Sequence, residues 1–107
     1  GKNMEYEVIL SGQAKEGFRK IVSYLLYEFG NEQAAANVIN DMEDTITRLS
    51  SIAGSLKLCD EPGLRAAGYR TIQFKRHKYF LLYRIIKRQA YVVNVFHDLQ
   101  DYEGMMK

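Results

Sequence analysis

The sequence predicts an α+β domain: an N-terminal strand and an antiparallel two-helix hairpin packed on one face of a twisted antiparallel sheet, in the order β-α-α-β-β-β. Three observations predict it. A short alternating segment opens the chain, two long stretches with apolar residues at three- and four-residue spacing come next, and the period changes to two after Gly68. With 107 residues, 47% hydrophobic and 26% charged, the chain is read as one domain over 1–107 with a single core. Gly1-Lys2-Asn3 ahead of Met4 look like a cloning remnant and are left out of the fold reasoning.

The opening strand is Met4–Leu10, with Tyr6, Val8 and Leu10 on one face and Glu5 and Glu7 on the other. Ser11 is placed to cap the first helix, its hydroxyl accepting a backbone N–H of the next turn. Ala14, Phe18, Ile21, Val22, Leu25 and Phe29 then form one apolar helical face. Gly30 ends that helix with φ > 0, and Asn31 caps the next, with Glu32 favourably placed in its first turn. Ala35, Val38, Ile39, Met42, Ile46 and Leu49 make the second buried stripe. So short a link between two helices forces an antiparallel hairpin.

Gly54, Pro62, Gly63 and Gly68 mark Ala53–Gly68 as mostly loop. Strands are expected at Tyr69–Lys75, Lys78–Ile86 and Ala90–Phe96, rich in the Tyr, Ile, Val and Phe that suit a pleated surface. Their short basic turns, Arg76-His77 and Lys87-Arg88-Gln89, make them an antiparallel meander. The helical hairpin must cover one face of the sheet to bury its stripes. On the central strand Phe80, Leu82, Arg84 and Ile86 share one side, and the presence of Arg84 marks that side as uncovered.

Charge is unevenly distributed. Residues 1–55 carry five Lys/Arg against eight Asp/Glu, and residues 56–107 carry ten against five. Between residues 65 and 88 stand Arg65, Arg70, Lys75, Arg76, Lys78, Arg84, Lys87 and Arg88 without one acid. Such a block suits a polyanion or an acidic partner, and equally a solvated basic rim. The apolar runs Tyr79–Tyr83 and Tyr91–Val93 are far too short to span a membrane, and no basic-then-apolar leader opens the chain, so a cytoplasmic location and no membrane partner are expected. The one cysteine, Cys59, supports neither an internal disulfide nor, alone, a metal site. No metal and no cofactor is expected.

The element order is joined by four segments: Tyr6-Glu7-Val8-Ile9-Leu10-Ser11 with Ala14; Pro62-Gly63-Leu64-Arg65 through Gly68-Tyr69-Arg70; Tyr79-Phe80-Leu81-Leu82-Tyr83-Arg84-Ile85; and His97-Asp98-Leu99-Gln100-Asp101-Tyr102-Glu103. Together, over Met4 to about Glu103, they resemble the RelE/ParE superfamily of toxins from bacterial type II toxin–antitoxin systems. The resemblance implies a toxin that arrests growth when free of its cognate antitoxin, within a toxin–antitoxin hetero-oligomer. It leaves three functions open. One is ParE-like inhibition of DNA gyrase or another protein target by binding. The second is RelE-like, metal-independent cleavage of mRNA on the ribosome. The third is a non-toxic corepressor acting only with its antitoxin.

Cleavage through a 2′-hydroxyl requires a base, an acid and cations for the phosphate. Where the RelE pattern has an arginine on the central strand this chain has Phe80. Thr71 and Gln73 replace lysines, and Asp98 replaces an arginine. These departures favour binding over cleavage. If the chain is a nuclease, its active site is shifted, with catalysis assigned to His97, Tyr102 and Arg70, which match the family pattern, and to Arg84 on the open face. Arg65, Arg70, Lys75, Arg76, Lys78 and Arg84 are the candidate contacts to target or phosphate. Phe80, Leu82, Val92 and Phe96 are the candidate apolar contacts to the antitoxin. His97 and Tyr102 are also read as packing residues, His77 as a turn residue and Arg70 as an ion-pair partner of Asp60, Glu61 or the C-terminal acids.

Overall fold

The structure, a computed structural model, describes residues 5–98. Strand β1 (Glu7–Leu10) leads into helix α1 (Gly12–Ser23), capped by the Ser11 hydroxyl, which accepts from the Ala14 amide at 3.0 Å. The same hydroxyl donates to the Val93 carbonyl at 2.8 Å, so the cap also ties the helix start to the sheet. The helix widens into a π-turn over Tyr24–Glu28 and stops at Gly30, φ 66°. Helix α2 (Glu32–Ile52) begins on the Asn31 cap, whose side chain accepts from the Ala34 amide at 2.9 Å.

The expectation of a loop over Ala53–Gly68 is corrected in part. A tight turn at Ala53–Ser55 and a short helix α3 (Pro62–Ala66) lie within it. The signals were local: Pro62 stands in the first helical turn, and the Glu61 carboxylate accepts from the Leu64 amide at 2.8 Å.

Strands β2 (Tyr69–Gln73), β3 (Tyr79–Ile86) and β4 (Gln89–His97) form the expected antiparallel meander. The full sheet order is β1-β4-β3-β2, and β1 joins β4 in parallel, which makes the sheet mixed. Its direction reflects where the strands start. The amides of Glu5 and Tyr6 donate to the Ser50 carbonyl, while Arg70 reaches the carbonyls of Gly54 and Leu56. Both β1 and β2 therefore leave from the C-terminal end of α2 and run the same way.

The inner face of the sheet carries Ile72, Phe74, Leu81, Tyr83, Ala90, Val92 and Val95 against Ala14, Val38, Met42 and Leu49 of the helices. Each fully buried aliphatic side chain there contributes about 1.5–3 kcal/mol. A register shift between Leu82 and Tyr83 leaves Val93 of β4 without its own partner on β3. That bulge resets the alternation along β4, and it places Val92 in the core under the helices instead of on the outer face where simple alternation put it.

Candidate interaction surface on the outer sheet face

The face turned away from α1 and α2 is divided in two. Its first half holds Phe80, Leu82 and Phe96, packed with Cys59 and Leu64 and flanked by Tyr69 and Val93. The rings of Phe80 and Phe96 stand 5.7 Å apart across adjacent strands. Packed with Cys59 and with Leu64 of α3, Phe80, Leu82 and Phe96 are buried, at 4%, 0% and 2% exposure. The expectation of an exposed apolar patch made by Phe80, Leu82, Val92 and Phe96 is corrected on both counts: three are buried in one cluster with Cys59 and Leu64, and Val92 lies on the opposite face.

The second half is open. Register places Ile9 beside Tyr91, Tyr91 beside Arg84, and Arg84 beside Tyr69, one row across all four strands. The Arg84 guanidinium lies 5.3 Å above the Tyr69 ring. That stacking holds a cation at the sheet surface with its donors free to point outward, at a gain of about 0.5–1 kcal/mol for an exposed pair. Tyr91 is 37% and Ile86 40% exposed beside it. The β3–β4 turn, Lys87-Arg88, closes this end of the sheet with Lys87 at φ 58° and the Arg88 guanidinium 5.9 Å from the Tyr6 ring.

Elsewhere the arginines of the basic block are engaged within the fold. The fully buried carboxylate of Asp41 accepts from the amides of Lys75 (3.2 Å) and Arg76 (2.8 Å) and bonds Nδ1 of His77 (2.7 Å). Burial alone would raise its pKa. The hydrogen bonds from His77 and the two amides, with the nearby Arg76 charge, outweigh burial and hold the carboxyl below its usual range. Arg76 itself pairs with Asp44 at 2.7 Å, and Arg48 donates to the Gln73 carbonyl at 2.7 Å. The β2–β3 turn is thus fastened to α2. Arg65 reaches the Cys59 carbonyl at 3.4 Å, while Lys75 and Lys78 extend from the turn into solvent.

A sequence comparison bears on what this surface belongs to. Residues 8–102 match the family model described as the ParE toxin of type II toxin–antitoxin system, parDE. This chain belongs to the ParE toxin family. Among solved structures, the fold is similar to a chain from the "Chromosomal ParDE TA system from P. aeruginosa", with a TM-score of 0.70 and 13% identity. That match covers 89% of this chain and 98% of the other. Among curated proteins, none matches the sequence.

In this ParE-family chain the described residues assigned to catalysis, Arg70, Arg84 and His97, do not converge. Arg70 donates to the Leu56 and Gly54 carbonyls at the end of α2, where Tyr83 donates to the Ala53 carbonyl at 2.7 Å and the Tyr6 hydroxyl lies against Gly54. Burial pushes the Tyr83 phenol up to about 12. Arg70 is therefore a structural cation at a helix C-terminus, bonded to carbonyls and not to Asp60 or Glu61. Arg84 is on the other side of the sheet. His97 packs edge-to-face on Tyr79 at 5.2 Å, six residues along β4 from Tyr91, roughly 20 Å of strand. Tyr102 lies outside the described residues. Among the described residues, no helix is long and apolar enough to cross a membrane.

Tyr69, Tyr91 and Ile9 were not among the residues singled out from the sequence. A signal for two of them was present. A two-residue turn at Lys87-Arg88 fixes Arg84 opposite Tyr91, and the four-residue turn before it sets Arg84 opposite Tyr69.

Proposed function

We propose that this ParE-family chain arrests growth by binding a protein target, DNA gyrase first among the candidates, and that its antitoxin neutralises it by covering the open row. Gyrase and antitoxin place its action in the cytoplasm. The observation that carries the reading is Arg84, stacked on Tyr69 and flanked by Tyr91 on the uncovered half of the sheet. Tyrosine and arginine are the side chains that dominate protein–protein binding energy, because each brings a large apolar body with a polar tip. Lys87 and Arg88 at the rim favour an acidic segment approaching from outside. The separation of Arg70, Arg84 and His97 argues against the rival reading, ribosome-dependent mRNA cleavage, which needs its cations and proton-transfer groups around one phosphate.

The test is expression in cells without antitoxin, with DNA supercoiling and mRNA integrity followed together. Blocked supercoiling with intact mRNA is expected. Rapid cleavage of translated mRNA would overturn the binding mechanism, and undisturbed growth would leave the corepressor role in its place. Arg84→Ala should lower both growth arrest and antitoxin affinity, since target and antitoxin share this surface.

A further inference from the structure

The tip of the helical hairpin exposes three large aromatic side chains within six residues. Tyr24 is 56%, Tyr27 81% and Phe29 62% exposed. Regular helical spacing puts Phe29 on the buried face with Ile21, Val22 and Leu25, and a regular helix would have kept it there. The π-turn prevents this. The Phe29 amide bonds the Tyr24 carbonyl at 2.8 Å, five residues back, and the Asn31 amide bonds the Leu25 carbonyl at 2.8 Å. One residue more than an α-turn requires is accommodated there, so the chain beyond the turn is rotated by about 100°. Phe29 swings out of the core and stacks on Tyr24, ring centroids 6.3 Å apart and 13° from parallel. Folding thus exposes an aromatic ring that the sequence pattern had assigned to the interior. Wide turns of this kind are uncommon and are frequently found at functional positions.

The size and charge of the tip identify what it fits. Three rings exposed to this extent present about 400 Å², half of the roughly 800 Å² per partner that a stable dimer buries. Two copies meeting tip to tip would therefore not hold together. Between residues 24 and 33 the only charges are Glu28 and Glu32. An aromatic knob with an acidic rim is repelled by nucleic acid and by anionic lipid, and it complements an apolar pocket rimmed with lysine or arginine on a protein. The tip also belongs to the helical layer, on the opposite side of the sheet from the Tyr69–Arg84–Tyr91 row.

We propose that Tyr24, Tyr27 and Phe29 form an anchor that inserts into an apolar, basic-rimmed pocket of the protein target, separately from the surface masked by the antitoxin. The inference rests on the reading that the toxin acts by binding a protein. Its test uses the full chain co-expressed with its cognate antitoxin, comparing wild type, Tyr27→Ser/Phe29→Ser, and the conservative Tyr27→Phe. The double variant should co-purify with antitoxin as wild type does and melt only slightly lower, since beyond solvent-exposed ring surface it loses the Phe29–Tyr24 stack alone. Freed of antitoxin, it should arrest growth about 30-fold less potently, the loss expected when a binding hot spot is truncated. Tyr27→Phe should retain potency.

Wild-type potency in the double variant overturns the anchor. Loss of antitoxin co-purification overturns it in favour of an antitoxin site, and loss of a self-association seen by sedimentation overturns it in favour of a second copy. A wild-type chain that fails to arrest growth sinks the toxin mechanism and the anchor with it, an outcome distinct from the other three.

Discussion

The two basic hairpin turns are alike in composition and differ in how their arginines are held. The β2–β3 turn, Lys75-Arg76-His77-Lys78, is gathered around the buried Asp41 carboxylate, and its arginine is paired with Asp44. At the β3–β4 turn, Lys87 and Arg88 make no ion pair among the described residues, and Arg88 lies over the Tyr6 ring. The difference arises in α2, whose acidic residues lie 32–36 positions upstream of the turn they clasp. A positive charge in the sequence becomes a binding charge only if the fold leaves it unanswered.

The largest way to break that contrast is Asp41→Ala. It leaves the amides of Lys75 and Arg76 and the His77 ring without their buried acceptor, and it should lower unfolding stability by about 3 kcal/mol, read by urea denaturation. Acid should act on the same contact. The Asp41 carboxyl is held below its usual range in the folded state, so its contribution is fully present above about pH 4. It is lost as pH falls through the folded-state value. The wild type should lose stability below pH 4 more steeply than Asp41→Asn, and equal slopes would show that this carboxylate does not carry the effect.

On the open side the prediction reverses: Arg84→Ala should change stability by less than about 1 kcal/mol while weakening antitoxin binding at least about tenfold, measured by calorimetry. The smallest effect is conformational. Lys87 sits at φ 58°, a backbone region that a side chain makes unfavourable by about 1 kcal/mol. Lys87→Gly should recover part of that and raise the melting temperature slightly, with no such gain at Lys75→Gly in the clasped turn.

Most of the fold was legible in local pattern. Alternation through Val8 and Leu10, the caps at Ser11 and Asn31, the two apolar stripes apart from Phe29 and the exposed Ile39, and the switch to period two after Gly68 each depend on a few neighbouring residues, so they survive folding. The errors came where a single residue shifted the count. The bulge at Val93 moved Val92 to the inner face, and the π-turn moved Phe29 outward. Neither carries a glycine or proline to announce it, because each is set by packing between elements.

The candidate site divides along the same line. The sequence by itself determined the strand and helix order, the family resemblance and the placement of Arg84 on the outer face, since these depend on periodicity and residue type. Only the tertiary structure decided that Arg70 and Arg76 serve the fold, that Phe80, Leu82 and Phe96 are buried with Cys59 and Leu64, and that Ile9, Tyr91, Arg84 and Tyr69 meet in one row. The physical reason is that an exposed or engaged side chain is defined by its partners, and here those partners come from segments far away in the chain.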